Sequence, residues 1–383
     1  MPSPSYLAID IGTGTQDIYL LRAGLSPENG FKLVLPSATM IIRRRIQQAT
    51  RRGEAILLDG VTMGGGPCAW AAEDHVRAGR KLFATPAAAR TFNDDLEAVQ
   101  RELGVQVVSE DEAEQLHGVT LIQLRDVDPE ALRTACAAFG LDLRPQAVGV
   151  AVFDHGAAPD GVSDRQYRFD YLAQRIRKHN RLTAFAYPAA EIPGDMTRLR
   201  AAAQSGAAFD APLIAMDTAP AAVLGAQFDS GLDPHVRRMV VNIGNFHALA
   251  FRLGPTGIEG VLEHHTGLLD QPRLEAHLRS FAAGSLTHEM VFAEMGHGAL
   301  VLDPRPLDLR PAARTLVLTG PRRGMLHRSA MQPYLAVPFG DMMLAGCFGL
   351  LAAMADLLPD HASQIRACLA DGAPERAPWE VEG

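Results

Sequence analysis

The stretch Leu7-Ala-Ile-Asp10-Ile-Gly12-Thr13-Gly14-Thr15-Gln-Asp17-Ile-Tyr-Leu-Leu21 constrains this chain more than any other. Leu7 to Ile11 is a short apolar run broken by one acid, Asp10. Gly12 to Thr15 make a tight turn and Ile18 to Leu21 resume an apolar β pattern, so the segment predicts a hairpin. Glycines let a backbone approach phosphate oxygens closely, and successive N–H groups attract anions. An acid beside such a nest can hold a hydrated Mg²⁺ near the phosphates. The same pattern fits an ordinary Gly-Thr hairpin with a surface acid, so the rest of the chain has to decide.

A chain of 383 residues is long enough for two domains, each with its own core. The net charge of -8 leaves no basic surplus to neutralise phosphates, which excludes nucleic acid as the main partner. Arg43-Arg44-Arg45 and Arg51-Arg52 are local exceptions, read as a solvated face or as contacts to an anionic substrate. Cys68, Cys136, Cys347 and Cys368 are widely spaced and form no C-x-x-C, which suits reduced thiols and offers no zinc or iron–sulfur framework. Met1-Pro-Ser-Pro-Ser5 lacks the basic and apolar regions of a signal peptide. The most apolar segment, Met342 to Leu358, is short for a bilayer span and carries Asp356. The expectation is a soluble cytoplasmic protein without membrane contact.

Further along, Asp59-Gly60-Val61-Thr62-Met63-Gly64-Gly65-Gly66-Pro67 cannot be helical and reads as a loop opening onto a helix. Gly64, Gly65 and Gly66 there are either a close-approach loop beside a ligand or a plain strand-to-helix turn. Val148 to Phe153 is wholly apolar and β-branched, the pattern of a strand buried on both faces, and it ends in Asp154-His155-Gly156. Polar residues at the carboxyl end of a central parallel strand are well placed for ligand or chemistry. The basic run Arg165 to Arg181 reads as a helix, either presenting cations to a ligand or simply solvated. Pro212 to Met216 is a second buried strand closing on Asp217, followed by a helix rich in small residues from Ala219. Met239 to Phe251 repeats the opening design around Asn242, Gly244 and Asn245, and Gly257 to Leu262 follows as a further strand. Arg314 to Thr319 is a strand leading into Gly320-Pro321, and Asp341 precedes a second small-residue helix over 342–358.

Five of these segments, in this order, resemble the actin, Hsp70 and sugar-kinase superfamily. They are the hairpin at Asp10 to Thr15, the helix after Asp217, the hairpin at Asn242 to Asn245, the turn at Leu318 to Arg323 and the helix after Asp341. More narrowly, Asp-Ile-Gly-Thr-Gly-Thr, Met-Gly-Gly-Gly-Pro, Asp154-His-Gly and Glu263-His264-His265-Thr266 resemble a family in that clan labelled pyruvate formate-lyase activating enzyme. A radical-SAM activase needs a C-x-x-x-C-x-x-C motif, which the four cysteines here cannot supply.

The resemblance implies an α/β fold of two actin-like (ribonuclease H-like) domains, 1–218 with insertions and 219–383, with ATP and Mg²⁺ in the cleft between them. The helix 342–358 would pack at the hinge, crossing the one after Asp217. Asp10 would organise Mg²⁺ through water. Gly12, Thr13, Gly14, Thr15, Asn242, Gly244 and Asn245 would hold the phosphates, with Gly320 and Pro321 against adenosine. Asp217 matches the acid that many sugar kinases of the superfamily use as general base, and Asp154 is the second choice. One departure is Asn242, where the second hairpin usually begins with an acid. Adjacent histidines on a strand face opposite ways, so His264 and His265 cannot easily bind one metal; with His288, Glu294 and His297 downstream the readings are a metal or acid/base cluster or structural and solvated rings. His264 and His265, with Gly64 to Gly66 and His155, are the candidate substrate contacts, and neither H-E-x-x-H nor G-x-x-x-x-G-K-[ST] occurs. The expected function is phosphoryl transfer from ATP to a small-molecule acceptor, or ATP hydrolysis. The alternatives are a nucleotide-dependent activator or scaffold acting on a partner protein, and a degenerate member binding another ligand.

Overall fold

The computed structural model describes residues 4–370 and 376–381. Residues 1–3, part of the N-terminal stretch read above for a signal peptide, lie outside the described residues. The chain opens with β1 (Ser5–Ile11), β2 (Thr15–Arg22) and β3 (Phe31–Pro36), an antiparallel meander. A small parallel sheet is inserted next: β4 (Ala55–Gly60), β5 (Leu82–Ala84), β6 (Gln106–Val107) and β7 (Val119–Leu124), in the order β6-β5-β4-β7. The chain then returns to the first sheet with β8 (Ala147–Val152), β9 (Ala186–Pro188) and β10 (Leu213–Asp217), giving β3-β2-β1-β8-β10-β9. β8 lies parallel to β1 and β10 parallel to β8.

The second large sheet repeats this plan. β11 (Arg238–Ile243), β12 (His247–Gly254) and β13 (Gly257–His265) form a meander, edged by β14 (Gly298–Val301). β15 (Leu316–Thr319) and β16 (Tyr334–Leu335) extend it in parallel on the other side of β11. A meander followed by parallel strands across its first strand, occurring twice, is the actin-like plan, and the molecule has two actin-like α/β domains. β13 runs on through His265, three residues past the expected strand end at Leu262.

Two helices tie the halves together because their sequences leave no side chains in the way. Helix Thr218–Ala226 crosses helix Ala345–Leu357 with Gly225 against the Ala345 carbonyl and Gly349 against the Ala221 carbonyl. A Cβ at either glycine would collide with that backbone oxygen. Helix Ala345–Leu357 follows the second sheet in sequence yet buries Phe348, Leu351 and Met354 beneath the first, against Tyr6, Tyr19 and Ile214. The converse also occurs. Helix Asp164–His179 precedes the second sheet but buries Phe169, Leu172 and Ile176 against Val240, Phe251 and Val317.

A helix at Ala38–Arg52 carries the arginine clusters. Its apolar residues Ile42, Ile46 and Ala49 recur at i, i+4 and i+7 and are buried, while Arg44, Arg45, Arg51 and Arg52 are exposed. These four arginines are therefore a solvated face. Among the described residues no helix is long and apolar enough to cross a membrane.

Candidate functional site

The register of the first hairpin sets Asp10 on β1 directly opposite Asp17 on β2. Directly opposed residues project to the same face of a sheet, so both carboxylates stand under the Gly12–Gly14 turn. Both are buried. Thr218 Oγ1 donates to Asp10 Oδ1 at 2.6 Å, while Asp17 Oδ1 has no hydrogen-bond partner among the described residues. Burial pushes the Asp10 carboxyl up to about 7, against the Thr218 hydrogen bond and with the Asp217 charge adding to it. Burial likewise pushes Asp17 up to about 8, with the Asp10 charge the next contribution. Asp17 was missed as a site residue, although the alternation of the strands and the short turn were there to reveal it.

A cleft of about 1040 Å³ opens above this pair, between the two domains. Asp10, Gly12, Thr13 and Thr15 line one wall, and Asn242, Gly244 and Asn245 line the other. Gly14 does not line the cleft. It makes room for the opposite turn, since a Cβ there would lie 2.9 Å from Asn245 Nδ2. Gly320 and Pro321 line the cleft beside Thr319, whose buried Oγ1 has no hydrogen-bond partner among the described residues. The donor set fits a hydrated Mg²⁺: two buried acids, one with an unsatisfied oxygen, whose ionisation burial opposes and a cation would favour.

Gly64, Gly65 and Gly66 also line the cleft, but their missing side chains are explained by protein neighbours. A Cβ on Gly64 would meet Arg198 Nη2 at 2.5 Å, one on Gly65 the Thr91 carbonyl at 2.6 Å, and one on Gly66 the Phe246 ring at 2.6 Å. Arg198 in turn donates to Asp126 at 2.8 and 3.0 Å and to the Phe153 carbonyl at 2.8 Å.

Asp217, the first choice for a catalytic base, does not face the cleft. Its side chain is buried against Arg168, which donates to Oδ2, while Oδ1 accepts from the Ala219 N–H at 3.2 Å and caps the helix that follows. Arg168 comes from the basic run read as ligand-presenting or solvated, yet it is fully buried. It also donates to Glu263 Oε2 at 3.2 Å and to the Asp154 carbonyl at 3.0 Å. Burial works against its charge, but Asp217 and Glu263 more than offset that and hold its pKa above the usual arginine value. Glu263 is pushed up to about 7, by burial first and against the pull of Arg168. Asp154 lines the cleft but is likewise engaged: its two oxygens accept the N–H groups of Gly156 and Leu199, each at 2.8 Å. Asp217 and Asp154 are thus held as structural acids, a capping counterion and a loop-to-helix clasp.

His155 and His265 line the cleft, and His264 does not. The alternation of β13 turns His264 toward His277 and Glu294, while His265 meets His247 and His297. His247 was missed from the site by sequence reasoning, which set His297 beside His288 and Glu294 as companions of the His264-His265 stretch. Only the pairing of β13 with β12 and β14 brings these rings together.

The family model described as "Putative pyruvate format-lyase activating enzyme (DUF1786)" matches residues 63–325, more than half of the chain. This chain belongs to that family. No curated protein matches it. Among solved structures it is similar to the ethanolamine utilization protein EutJ from Carboxydothermus hydrogenoformans, with 12% identity, 91% of this chain and 90% of that chain covered, and a TM-score of 0.30. ROK hexokinase from Thermus thermophilus matches at 13% identity over 90% of this chain and 96% of that chain, with a TM-score of 0.28. The fold assignment rests on the strand orders above. The activase label finds no support in the family member's own thiols. Cys68, Cys136 and Cys347 are buried in three different cores, and Cys368 shares the core of Cys347.

Proposed function

We propose that the cleft binds ATP as its Mg²⁺ complex and either hydrolyses it or passes its terminal phosphoryl group to a small molecule. The observation that carries this reading is the buried Asp10–Asp17 pair beneath a glycine turn, facing a second turn of the same design across the cleft. Asp10 and Asp17 would hold the hydrated ion, which when bound would neutralise charge on the phosphate oxygens. The turns at Gly12–Thr15 and Gly244–Asn245 would supply backbone N–H groups to the phosphates. Thr319, Gly320 and Pro321 would receive the nucleoside. The acceptor side is the wall formed by Gly64 to Gly66 and His155.

With Asp217 and Asp154 engaged elsewhere, our choice for a proton acceptor moves to Asp94. It lines this wall, and its carboxyl is raised by burial, against the charge of His155. The same engagement of Asp217 and Asp154 favours a second reading, in which nucleotide binding drives opening and closing about the crossed helices to act on a partner protein.

Calorimetric titration of Mg–ATP into the protein and into Asp10→Ala tests the binding reading, and phosphate release on the same samples separates the two versions. Binding abolished by Asp10→Ala supports the cleft, and turnover above that of Asp94→Asn supports transfer or hydrolysis. Binding without turnover favours the switch. No binding to the unaltered protein refutes both.

A further inference from the structure

The second sheet carries a constellation that the nucleotide reading does not use. His247, the first residue of β12, stands directly opposite His265, the last of β13. His297 immediately precedes β14, and its N–H donates to the Glu263 carbonyl at 3.0 Å. The ring centroids are 5.1 Å apart for His247 and His265, 5.1 Å for His247 and His297, and 4.4 Å for His265 and His297. One nitrogen from each ring lies within 4.8 Å of the other two. All three line the cleft, and the Phe153 ring stacks on His247 at 3.9 Å and 4°, fixing its plane. His297 is 3% exposed and its Nδ1 has no hydrogen-bond partner among the described residues.

Three crowded imidazoles without an intervening carboxylate make a poor cationic cluster and a good ligand set. Burial lowers the pKa of all three, and each has a neighbouring histidine that lowers it further. Neutral rings present lone pairs, the state a metal requires. Behind them, Arg168 is matched by two carboxylates, Asp217 and Glu263, so the buried charge beneath the site is not net positive. Arg165 also lies nearby, with its guanidinium directed onto the Gly296 carbonyl at 2.7 Å and over the Phe292 ring.

We propose that His247, His265 and His297 form a three-imidazole site for a divalent transition-metal ion of the Zn²⁺ class, with its remaining coordination position open to the cleft. Imidazole nitrogens suit such ions and not Mg²⁺, which keeps the two cation sites chemically distinct. Metal–nitrogen bonds of about 2.0–2.1 Å require the rings to close by at most roughly 1.5 Å, within reach of small ring rotations. The open position would take water or an oxygen atom of a ligand bound beside Phe153 and His155. On the opposite face of β13, His264, His277 and Glu294 make a second group that serves as an internal control.

The test uses the full chain stripped with a chelator and titrated with Co²⁺, without nucleotide or Mg²⁺, so its outcome is independent of the ATP reading. Visible absorption reports imidazole ligation, and bound metal is counted after gel filtration. The expected result is that His265→Ala and His297→Gln each lose an ion that His264→Ala retains, with at least a 100-fold drop in affinity. Zn²⁺ should also raise the melting temperature of the unaltered protein and of His264→Ala, but not of His265→Ala. Circular dichroism and metal-free melting confirm that the variants fold. No Co²⁺ bound at micromolar concentration would overturn the proposal. So would loss confined to His264→Ala and His277→Ala, which would place the ion on the other face of the strand.

Discussion

The two hairpins that face each other across the cleft share a backbone and differ in chemistry. Gly12 N–H donates to the Thr15 carbonyl and Gly244 N–H to the His247 carbonyl, both at 2.9 Å, so the turns superpose in register. That register sets Asp10 against Asn242, Thr15 against His247 and Asp17 against Leu249. The first hairpin has two carboxylates where the second has an amide and a hydrocarbon. A hard cation therefore finds its charged ligands on one wall only, and the opposite wall offers hydrogen bonds and imidazoles. The acids before the two crossed helices diverge similarly: Asp217 is buried against Arg168, while the Asp341 side chain is 31% exposed. A duplicated backbone does not duplicate a site, because one-residue differences at equivalent positions decide which ion each half can hold.

The largest contrast expected is between those two acids. Asp217→Ala leaves the buried Arg168 with Glu263 as its one remaining carboxylate partner among the described residues and should cost about 3 kcal/mol, read from urea unfolding. Asp341→Ala removes the acceptor of the Met343 N–H and should cost about 1 kcal/mol. Similar losses for both would break the contrast. Next, the helix crossing should not tolerate a methyl group. Gly349→Ala is expected to cost about 1–3 kcal/mol by the same measurement, because the added carbon meets the Ala221 carbonyl.

The acid pair also predicts a pH dependence. Both folded carboxyls lie above the usual carboxylate value of about 4, Asp10 at about 7 and Asp17 at about 8. The folded chain thus holds these protons more tightly than the unfolded one. Without Mg²⁺ their contribution to stability is complete below about pH 4 and falls as pH rises to about 8. Binding of Mg²⁺ needs the ionised pair, and both acids titrate in this range, so affinity for Mg–ATP should rise by more than about 100-fold between about pH 6 and pH 8. Calorimetry across that range should show a shallower profile in Asp17→Asn, where Asp10 alone still titrates. The smallest effect sharpens the comparison from the other wall. Restoring an acid with Asn242→Asp should strengthen Mg–ATP binding about fivefold, the difference of roughly 1 kcal/mol between a neutral and a charged hydrogen bond.

What was legible in the sequence follows from which forces are local. The hairpins, the buried strands and the small-residue helices announce themselves through apolar runs, turn glycines and spacing within about 15 residues. Asp10 could be singled out because its turn is adjacent to it. Asp217 was misjudged because the side chain that engages it, Arg168, lies 49 residues earlier in a run of bases that resembles a solvated helix. The arginine-rich helix Ala38–Arg52 was overlooked for the same reason, its charges masking the spacing of Ile42, Ile46 and Ala49. The histidine cluster depends on the pairing of three strands whose contributing residues span 50 positions, and no short-range pattern reports that pairing.

The most direct test is a calorimetric comparison of Mg–ATP affinity in the unaltered protein, Asp17→Asn and the opposite-wall variant Leu249→Met. Ligation by the first hairpin alone predicts at least a 100-fold loss, about 2.7 kcal/mol, for Asp17→Asn and no change beyond about twofold for Leu249→Met. Equal affinity in the unaltered protein and Asp17→Asn would contradict it, because a buried carboxylate that holds the ion cannot be neutralised without consequence.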